Sequence, residues 1–178
     1  MAAANQLYLA IPALKHKQAA MEYRRECIET DPGSHITASG GLSRYEKYED
    51  WLAKITDEAN HTNPNVNSVP ATMYFAVYNQ KIVGSIQIRH YLNEPLLIRG
   101  GHIGYGVRPA ERRKGCATEM LALALEECKR LGIKQVLVTC DKKNIASART
   151  IEKNGGVLEN EFVDAAGGIV LRYWIDIA

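Results

Sequence analysis

Cysteine is scarce in this chain of 178 residues, and the four that it has show none of the spacings that bind zinc. The four are Cys27, Cys116, Cys128 and Cys140. No two of them form a C-x-x-C pair, and the periodicity around them places each on a helix or a strand. This pattern argues against a metal site and favours reduced thiols in a cytoplasmic protein.

Long apolar runs and a large charge excess are also missing. No stretch approaches the roughly 18 apolar residues that a membrane span needs, and the N-terminus lacks the positively charged start of a secretory leader. With 22 Lys and Arg against 20 Asp and Glu, the net charge is only +2, whereas nucleic-acid binders usually show a strongly basic face. We therefore expect neither a membrane nor a nucleic-acid partner.

The remaining composition is that of an ordinary globular protein. Apolar residues make up 46% of the chain and charged residues 24%, which is typical of a protein with a substantial core. No internal repeat or low-complexity segment divides the sequence. We expect one domain over residues 1–178.

Hydrophobic periodicity and turn residues predict the element order β-α-α-β-β-β-α-β-α-β-β. The second helix is predicted from Ser43 to Ala59, with Ser43 and Glu46 as a capping box. Two stretches are predicted as irregular, the connector Asn60–Pro70 and the loop Leu92–Gly101. These stretches set the boundaries of the neighbouring predicted elements.

The stretch Gly104–Leu131 carries the strongest chemical signal. A short apolar strand, His102–Val107, breaks at Pro109 and is followed by the basic loop Glu111–Gly115 and an amphipathic helix. A helix N-terminus presents backbone N–H groups without partners and a partial positive charge, and Gly115 lets a bulky anion approach them. The residues predict a phosphate or pyrophosphate site, with an ordinary solvated turn as the alternative.

Other phosphate-binding motifs do not fit. The chain contains no G-x-x-x-x-G-K-S/T sequence, which excludes a standard Walker P-loop. Gly104 and Gly106 lie within the predicted strand, and Pro109 stands where a dinucleotide fingerprint needs its third glycine. Neither kind of nucleotide site is therefore predicted.

Two sequence elements carry a resemblance to a known family. Arg112–Ala117 fits the pattern Q/R-x-x-G-x-G/A between a strand and a helix, and Asn144–Gly155 is similar to N-x-x-A/S-x-x-x-Y-x-K-x-G-F. The two elements and their order cover roughly residues 101–163, and in this part the sequence resembles the GNAT superfamily of N-acetyltransferases. The resemblance implies acetyl-CoA as acetyl donor. It also implies a single-domain α/β fold with a mixed central sheet of about six to seven strands and helices on both faces.

The resemblance also assigns residues to the cofactor. In the family, amides of the loop hold the pyrophosphate, and the strand before it splays from the next strand, here Gln135–Thr139, to leave a groove. The implied cofactor-binding residues are Tyr105, Gly106, Val107, Arg112, Arg113, Lys114, Gly115, Cys116, Ala117, Thr118, Asn144 and Ser147.

The sequence departs from the family at the general acid. Ile151 stands where many GNAT enzymes have a tyrosine that protonates the CoA thiolate, and Gly156 replaces the usual phenylalanine. A base for the acceptor amine is expected on the motif strand, where His102 and Tyr105 are candidates on opposite faces. His102 is preferred because the ordinary pKa of histidine is near neutral. Tyr173 is a further candidate acid.

Three functional hypotheses follow. The first is an acetyl-CoA-dependent N-acetyltransferase, a monomer or homodimer, that transfers acetyl directly to a primary amine of a small molecule or peptide. The second is a non-catalytic acyl-CoA-binding protein or sensor, which Ile151 favours. The third transfers another acyl group or acts on a hydroxyl. The residues expected on the acceptor side are Arg89, His90, Glu94 and the loops Ser34–Gly41 and Asn60–Pro70.

Overall fold

The computed structural model describes residues 6–60 and 68–178. The strands in these ranges are β1 (Tyr8–Ala10), β2 (Ala71–Tyr78), β3 (Lys81–Arg89), β4 (Ile103–Val107), β5 (Gln135–Asp141), β6 (Val157–Val163) and β7 (Ile169–Asp176). The α-helices are α1 (Lys17–Thr30), α2 (Tyr48–Ala59), α3 (Glu94–Ile98), α4 (Cys116–Arg130) and α5 (Ile145–Lys153). Single 3₁₀ turns cover Leu14–His16, Leu42–Arg44 and Pro109–Glu111. Most of the predicted connector Asn60–Pro70 lies outside the described residues.

The strands form two sheets that meet at one point. One sheet has the order β1-β2-β3-β4 and the other β5-β7-β6. An isolated bridge between Gly101 and Val138 joins them, and β4 and β5 form no further ladder. The predicted α/β fold and strand number are confirmed. The sheet differs from the predicted mixed sheet because all ladders between the described strands are antiparallel.

Helices cover both faces of the four-stranded sheet, as the resemblance implied. On one face α1 and α2 pack against β2, in a cluster that includes the fully buried Tyr23, Trp51 and Phe75. On the other face α4 buries Met120 and Leu121 against β3 and β4. Because the apolar residues of α4 recur at three and four positions, one stripe of this helix is buried and its opposite side is solvated.

Two predicted boundaries are wrong. The second helix begins at Tyr48 rather than Ser43, because Leu42 turns into the core and Tyr45 has an extended backbone that interrupts helical hydrogen bonding. The predicted loop Leu92–Gly101 contains α3, whose first turn is capped by Asn93: its side chain accepts a hydrogen bond from the Leu96 N–H at 3.2 Å. This short helix closes the connection between β3 and β4.

No helix in the described ranges combines the length and the apolar character that crossing a membrane requires.

Candidate active site

The candidate site begins with the hydrogen bonds that β4 makes on one edge. At the two ends of its ladder with β3, the Arg89 N–H donates to the His102 carbonyl and the Arg108 N–H donates to the Val83 carbonyl, each at 2.8 Å. In an antiparallel ladder, bonded and non-bonded residue pairs alternate. The even-numbered residues of β4 therefore turn their backbone groups towards β3.

The odd-numbered residues of β4 turn theirs away from β3, towards the gap before β5. Tyr105 and Val107 thus present their N–H groups to this gap, since β4 and β5 diverge after the bridge at Gly101. The backbone carbonyl of Val107 accepts a hydrogen bond from Arg112 Nε at 3.4 Å on the same side. The divergence leaves backbone donors that a continuous sheet would have used.

A cleft of about 360 Å³ occupies this gap. The loop before α2 closes one side of it, so closely that a Cβ on Gly106 would lie 2.9 Å from the Thr37 carbonyl oxygen. The lining residues are His35, Thr37, Arg89, Arg99, Gly100, Ile103, Gly104, Tyr105, Thr139, Cys140, Asp141, Asn144, Ser147 and Val170. The cleft therefore combines backbone groups of the splayed strands with a set of polar side chains.

The start of α4 lies just beyond the far end of β4. Gly115 is its N-cap residue with a left-handed φ of 85°, and no side chain caps the first turn. A Cβ added to Gly115 would meet no heavy atom within 4 Å, so the approach to the N–H groups is open. Arg112, Arg113 and Lys114 are exposed beside it. Open amides, a helix dipole and neighbouring cations together fit an anion of phosphate type.

A buried ion pair holds the connection between β4 and α4. Arg108, only 7% exposed, donates from Nε to Glu26 Oε2 at 2.6 Å, and the other carboxylate oxygen accepts from the Ala110 N–H at 3.0 Å. Burial raises the pKa of Glu26, but these two hydrogen bonds outweigh it and bring the pKa below its ordinary value. Helix α1 thereby fixes where the basic loop leaves the sheet.

The start of α5 faces the same cleft. Asn144 caps this helix by accepting from the Ser147 N–H at 3.1 Å, and the Ser147 hydroxyl lies 2.8 Å from the phenolic oxygen of Tyr105. Burial raises the pKa of Tyr105, so its hydroxyl carries its proton at neutral pH. A polar pair from β4 and α5 therefore lies inside the cleft.

His102 lies outside the cleft lining. It is 7% exposed, and its Nδ1 accepts a hydrogen bond from the Leu137 N–H at 3.0 Å, next to the bridge between the sheets. Burial, with a smaller contribution from the charge of Arg89, lowers the pKa of His102 to about 4. This placement gives the imidazole a structural role and argues against the predicted role as general base.

Tyr173 and Ile151 also lie in the core rather than at the cleft. Tyr173 is 3% exposed and donates its hydroxyl to Glu152 Oε1 at 3.2 Å. Burial and the neighbouring carboxylate raise its pKa to about 12. Ile151, at the position of the family's usual tyrosine, is fully buried. Neither residue is placed to give a proton to a ligand in the cleft.

The structure thus places three of the sequence-predicted cofactor residues in the cleft and separates two of the three catalytic candidates from it. Tyr105, Asn144 and Ser147 line the cleft, and the basic loop continues directly from β4. Arg89, one of three residues expected on the acceptor side, does line the cleft, whereas His90 and Glu94 do not. Sequence reasoning missed Arg99, Thr139 and Asp141, which carry no local motif.

Comparison with solved structures supports this fold. The chain is similar to the microcin C7 self-immunity acetyltransferase MccE in complex with acetyl-CoA and AMP, with 18% identity, a TM-score of 0.63 and coverage of 97% of this chain and 93% of the other. It is similar to the ribosomal L7/L12 α-N-protein acetyltransferase RimL in complex with coenzyme A, with 16% identity, a TM-score of 0.68 and coverage of 96% and 94%. It is also similar to yncA, a putative acetyltransferase from Salmonella typhimurium with acetyl-CoA, with 14% identity, a TM-score of 0.65 and coverage of 98% and 95%.

A comparison with curated proteins finds no match to this chain. Residues 16–157 of the 178, however, match the family model described as the acetyltransferase (GNAT) domain. This match spans α1 to α5 and so includes β4, β5, the basic loop and the two helices that begin at Cys116 and Ile145. The chain belongs to the GNAT acetyltransferase family.

Proposed function

We propose that this protein is an N-acetyltransferase that transfers the acetyl group of acetyl-CoA directly to a primary amine of a small molecule or peptide. Membership of the family supports acetyl-CoA-dependent transfer. The observation that carries the proposal is the divergence of β4 from β5, which leaves unpaired N–H groups beside an open helix N-terminus. Such a gap suits an extended thioester ligand with a pyrophosphate at one end.

The residues present fit the donor. The N–H groups at the start of α4, opened by Gly115, would hold the pyrophosphate, and Arg112 and Arg113 would add charge-assisted hydrogen bonds. Asn144 and Ser147 would face the same ligand from α5. When bound, acetyl-CoA supplies an activated thioester, and the chain supplies the orientation and the electrostatics.

The backbone of β4 would polarise the thioester. The N–H groups of Tyr105 and Val107 face the gap and can donate to the oxygen that becomes negative as the amine attacks. Because they are fixed by the ladder with β3, they need no rearrangement to do so. We assign this role to the strand edge rather than to a side chain.

Tyr105 is our candidate for the missing general acid. Its hydroxyl lies in the cleft and is protonated at neutral pH, which suits proton donation to a leaving thiolate better than proton removal from an amine. The hydrogen bond with Ser147 holds the phenol in place. Tyr105, on β4, would thus protonate the leaving thiolate, which Ile151 on α5 cannot do.

No base on the chain is required if the amine enters the cleft neutral. Arg89 and Arg99 line the cleft, and nearby positive charge lowers the pKa of an amine. The rate should therefore rise with pH as the fraction of free neutral amine increases, up to the ordinary amine pKa of about 8 to 10.

A non-catalytic acyl-CoA-binding protein is the second candidate. The burial of Ile151 in the core favours it, since this position of α5, where the family usually has an acidic tyrosine, carries no group that could protonate a ligand. A protein of this class would keep the anion site of α4 and release no thiol. The two candidates share a cofactor site and differ in turnover.

Titration calorimetry with acetyl-CoA, followed by thiol release with a panel of primary amines, tests the proposal. Binding with amine-dependent thiol release supports the transferase. Binding with no release beyond the rate of spontaneous hydrolysis supports the acyl-CoA-binding protein. Absence of binding contradicts both, and with them the assignment of the loop before α4.

A further inference from the structure

Arg89 brings a positive charge into the cleft, and no carboxylate in residues 6–60 and 68–178 forms an ion pair with it. The side chain leaves the end of β3, and its Nη1 donates to the carbonyls of Gly100 and Gly101 at 3.2 and 3.0 Å. A guanidinium has five N–H groups. Those on Nη2 and Nε have no acceptor among residues 6–60 and 68–178. Burial lowers the pKa of Arg89 but leaves it charged at neutral pH.

The acidic groups of the neighbouring pockets do not pair with Arg89. No ion pair in the described ranges includes Arg89. Glu58, which lies in the adjoining pocket, pairs with Lys54 at 2.8 Å. Asp141, the acidic residue of the cleft, accepts from the Lys143 N–H at 2.8 Å and keeps its charge, but it forms no ion pair with Arg89. Residues 1–5 and 61–67 contain no Asp or Glu. A half-buried cation without a counter-ion is costly unless a ligand supplies one.

The position of Arg89 separates this charge from the anion site of α4. Arg89 pairs with His102 before the start of β4, whereas the basic loop follows Val107 at its end. The five residue steps from His102 to Val107 span about 17 Å of strand. The two cationic features therefore lie at opposite ends of β4, and an anion at Arg89 belongs to a group other than the pyrophosphate.

We propose that Arg89 binds an anionic group of the acceptor, so that the natural substrates are amines that also carry a carboxylate or a phosphate. The inference rests on the proposed function, because it assigns the acceptor of that reaction. A planar guanidinium with free N–H groups on two nitrogens matches the two oxygens of either group. Binding this group at the bridged end of the gap would direct the amine towards the N–H groups of Tyr105 and Val107.

Matched acceptor pairs test this assignment. Short linear amino acids are compared with their amides, and aminoalkyl phosphates with the corresponding amino alcohols, by thiol release at saturating acetyl-CoA. We expect kcat/KM for one of the anionic series to exceed that of its neutral partners by about 30-fold, mostly through KM, as a charge-assisted contact would give. The series that shows the preference distinguishes carboxylate from phosphate.

Two Arg89 variants and one control complete the experiment. Arg89→Met keeps an unbranched apolar side chain without the guanidinium and should reduce the ratio of kcat/KM between anionic and neutral acceptors to near 1, while Arg89→Lys should keep part of this preference. Arg130→Met removes one arginine from the exposed end of α4, where it pairs with Glu127, and should leave the ratio unchanged. Calorimetry with acetyl-CoA shows that each variant keeps a folded donor site.

The outcomes separate this inference from the proposed function. A preference for the anionic acceptor over its neutral counterpart that disappears in Arg89→Met supports the role of Arg89. An equal rate for both partners, or a preference that persists in Arg89→Met, overturns it. Acetyl-CoA binding without turnover of any anionic acceptor also overturns it and leaves the donor site standing. Failure of the wild-type protein to bind acetyl-CoA removes the proposed function itself.

Discussion

Replacing Gly115 with aspartate, and in parallel with asparagine, gives the sharpest test of the anion site. The two side chains have nearly the same size, and both tolerate a left-handed backbone such as the φ of 85° found here. A Cβ at this position meets no heavy atom within 4 Å, so neither variant clashes with the folded chain. The variants therefore differ by one negative charge at the start of α4.

The magnitude follows from that charge. A carboxylate on residue 115 would lie about 5 Å from a phosphate bound to the same N–H groups, and at an effective dielectric constant of about 20 two unit charges then repel by about 3 kcal/mol. The exposed Arg112, Arg113 and Lys114 screen part of this repulsion. We expect the Kd for acetyl-CoA to be at least about 30-fold higher in Gly115→Asp than in Gly115→Asn.

Calorimetric titration measures the two Kd values, and thermal unfolding provides the control. An aspartate near a helix N-terminus stabilises the helix, so Gly115→Asp should have a Tm no lower than that of Gly115→Asn. Weak binding then cannot be attributed to unfolding. Equal Kd values in the two variants would refute an anion site at this turn, because only the charge distinguishes them.

Three further predictions follow from groups in and around the cleft. Tyr105→Phe should lower kcat by about 10- to 100-fold and leave the Kd for acetyl-CoA unchanged; an unchanged kcat would remove the phenol from the reaction. Glu26→Gln should destabilise the protein by about 1–3 kcal/mol at pH 7. Because the folded pKa of Glu26 is lowered, this stabilisation is present above the unfolded pKa of about 4.3 and is lost as pH falls through the folded value. The free energies of unfolding of the wild type and Glu26→Gln, measured with urea, should therefore converge below about pH 4. A difference that does not change with pH would contradict the ion-pair assignment. In the wild type we expect the free energy of unfolding to fall by up to about 3 kcal/mol between about pH 6.5 and pH 4, because the buried His102 resists protonation. His102→Asn keeps an acceptor for the Leu137 N–H and should abolish this fall. If the fall persists in the variant, another group causes it.

The sequence was sufficient to predict the turn and the helix of the proposed donor half, because their signals are local. A glycine between basic residues and an apolar stripe defines the turn and the helix that follows, and α4 begins at Cys116, directly after Gly115, as this pattern predicts. The motif residues on β4 and α5 were placed by the same kind of short-range pattern.

The role of His102 could not be predicted because it depends on how two strands meet. The prediction assumed that side chains alternate between the two faces of a regular strand from His102 onwards, but β4 begins at Ile103. Gly100 and Gly101 before it have φ values of 112° and 61°, and the backbone of His102 bonds to both β3 and β5. The strand period therefore does not apply at this residue, and its ring turns towards Leu137.

The acceptor half of the cleft depends on contacts between distant parts of the chain. Thr37 reaches β3 through a carbonyl that accepts from the Ser85 hydroxyl at 3.0 Å, across 48 positions of sequence. Arg89 is one of many charged residues near a strand end, and only its burial without a counter-ion distinguishes it. Neither property has a local sequence pattern.

The isolated bridge between Gly101 and Val138, where the two sheets meet, links these observations. A Cβ on Gly101 would lie 2.3 Å from the Leu137 carbonyl oxygen, so the close approach of the two sheets at this point requires glycine. Beyond it the strands separate, and the N–H groups of Tyr105 and Val107 stay unpaired because β5 is out of reach. A complete ladder would stabilise the sheet by using these donors, and it would also close the cleft. The sheet is therefore incomplete at the place where the proposed reaction needs free backbone donors, between Arg89 at one end and the Gly115 turn at the other.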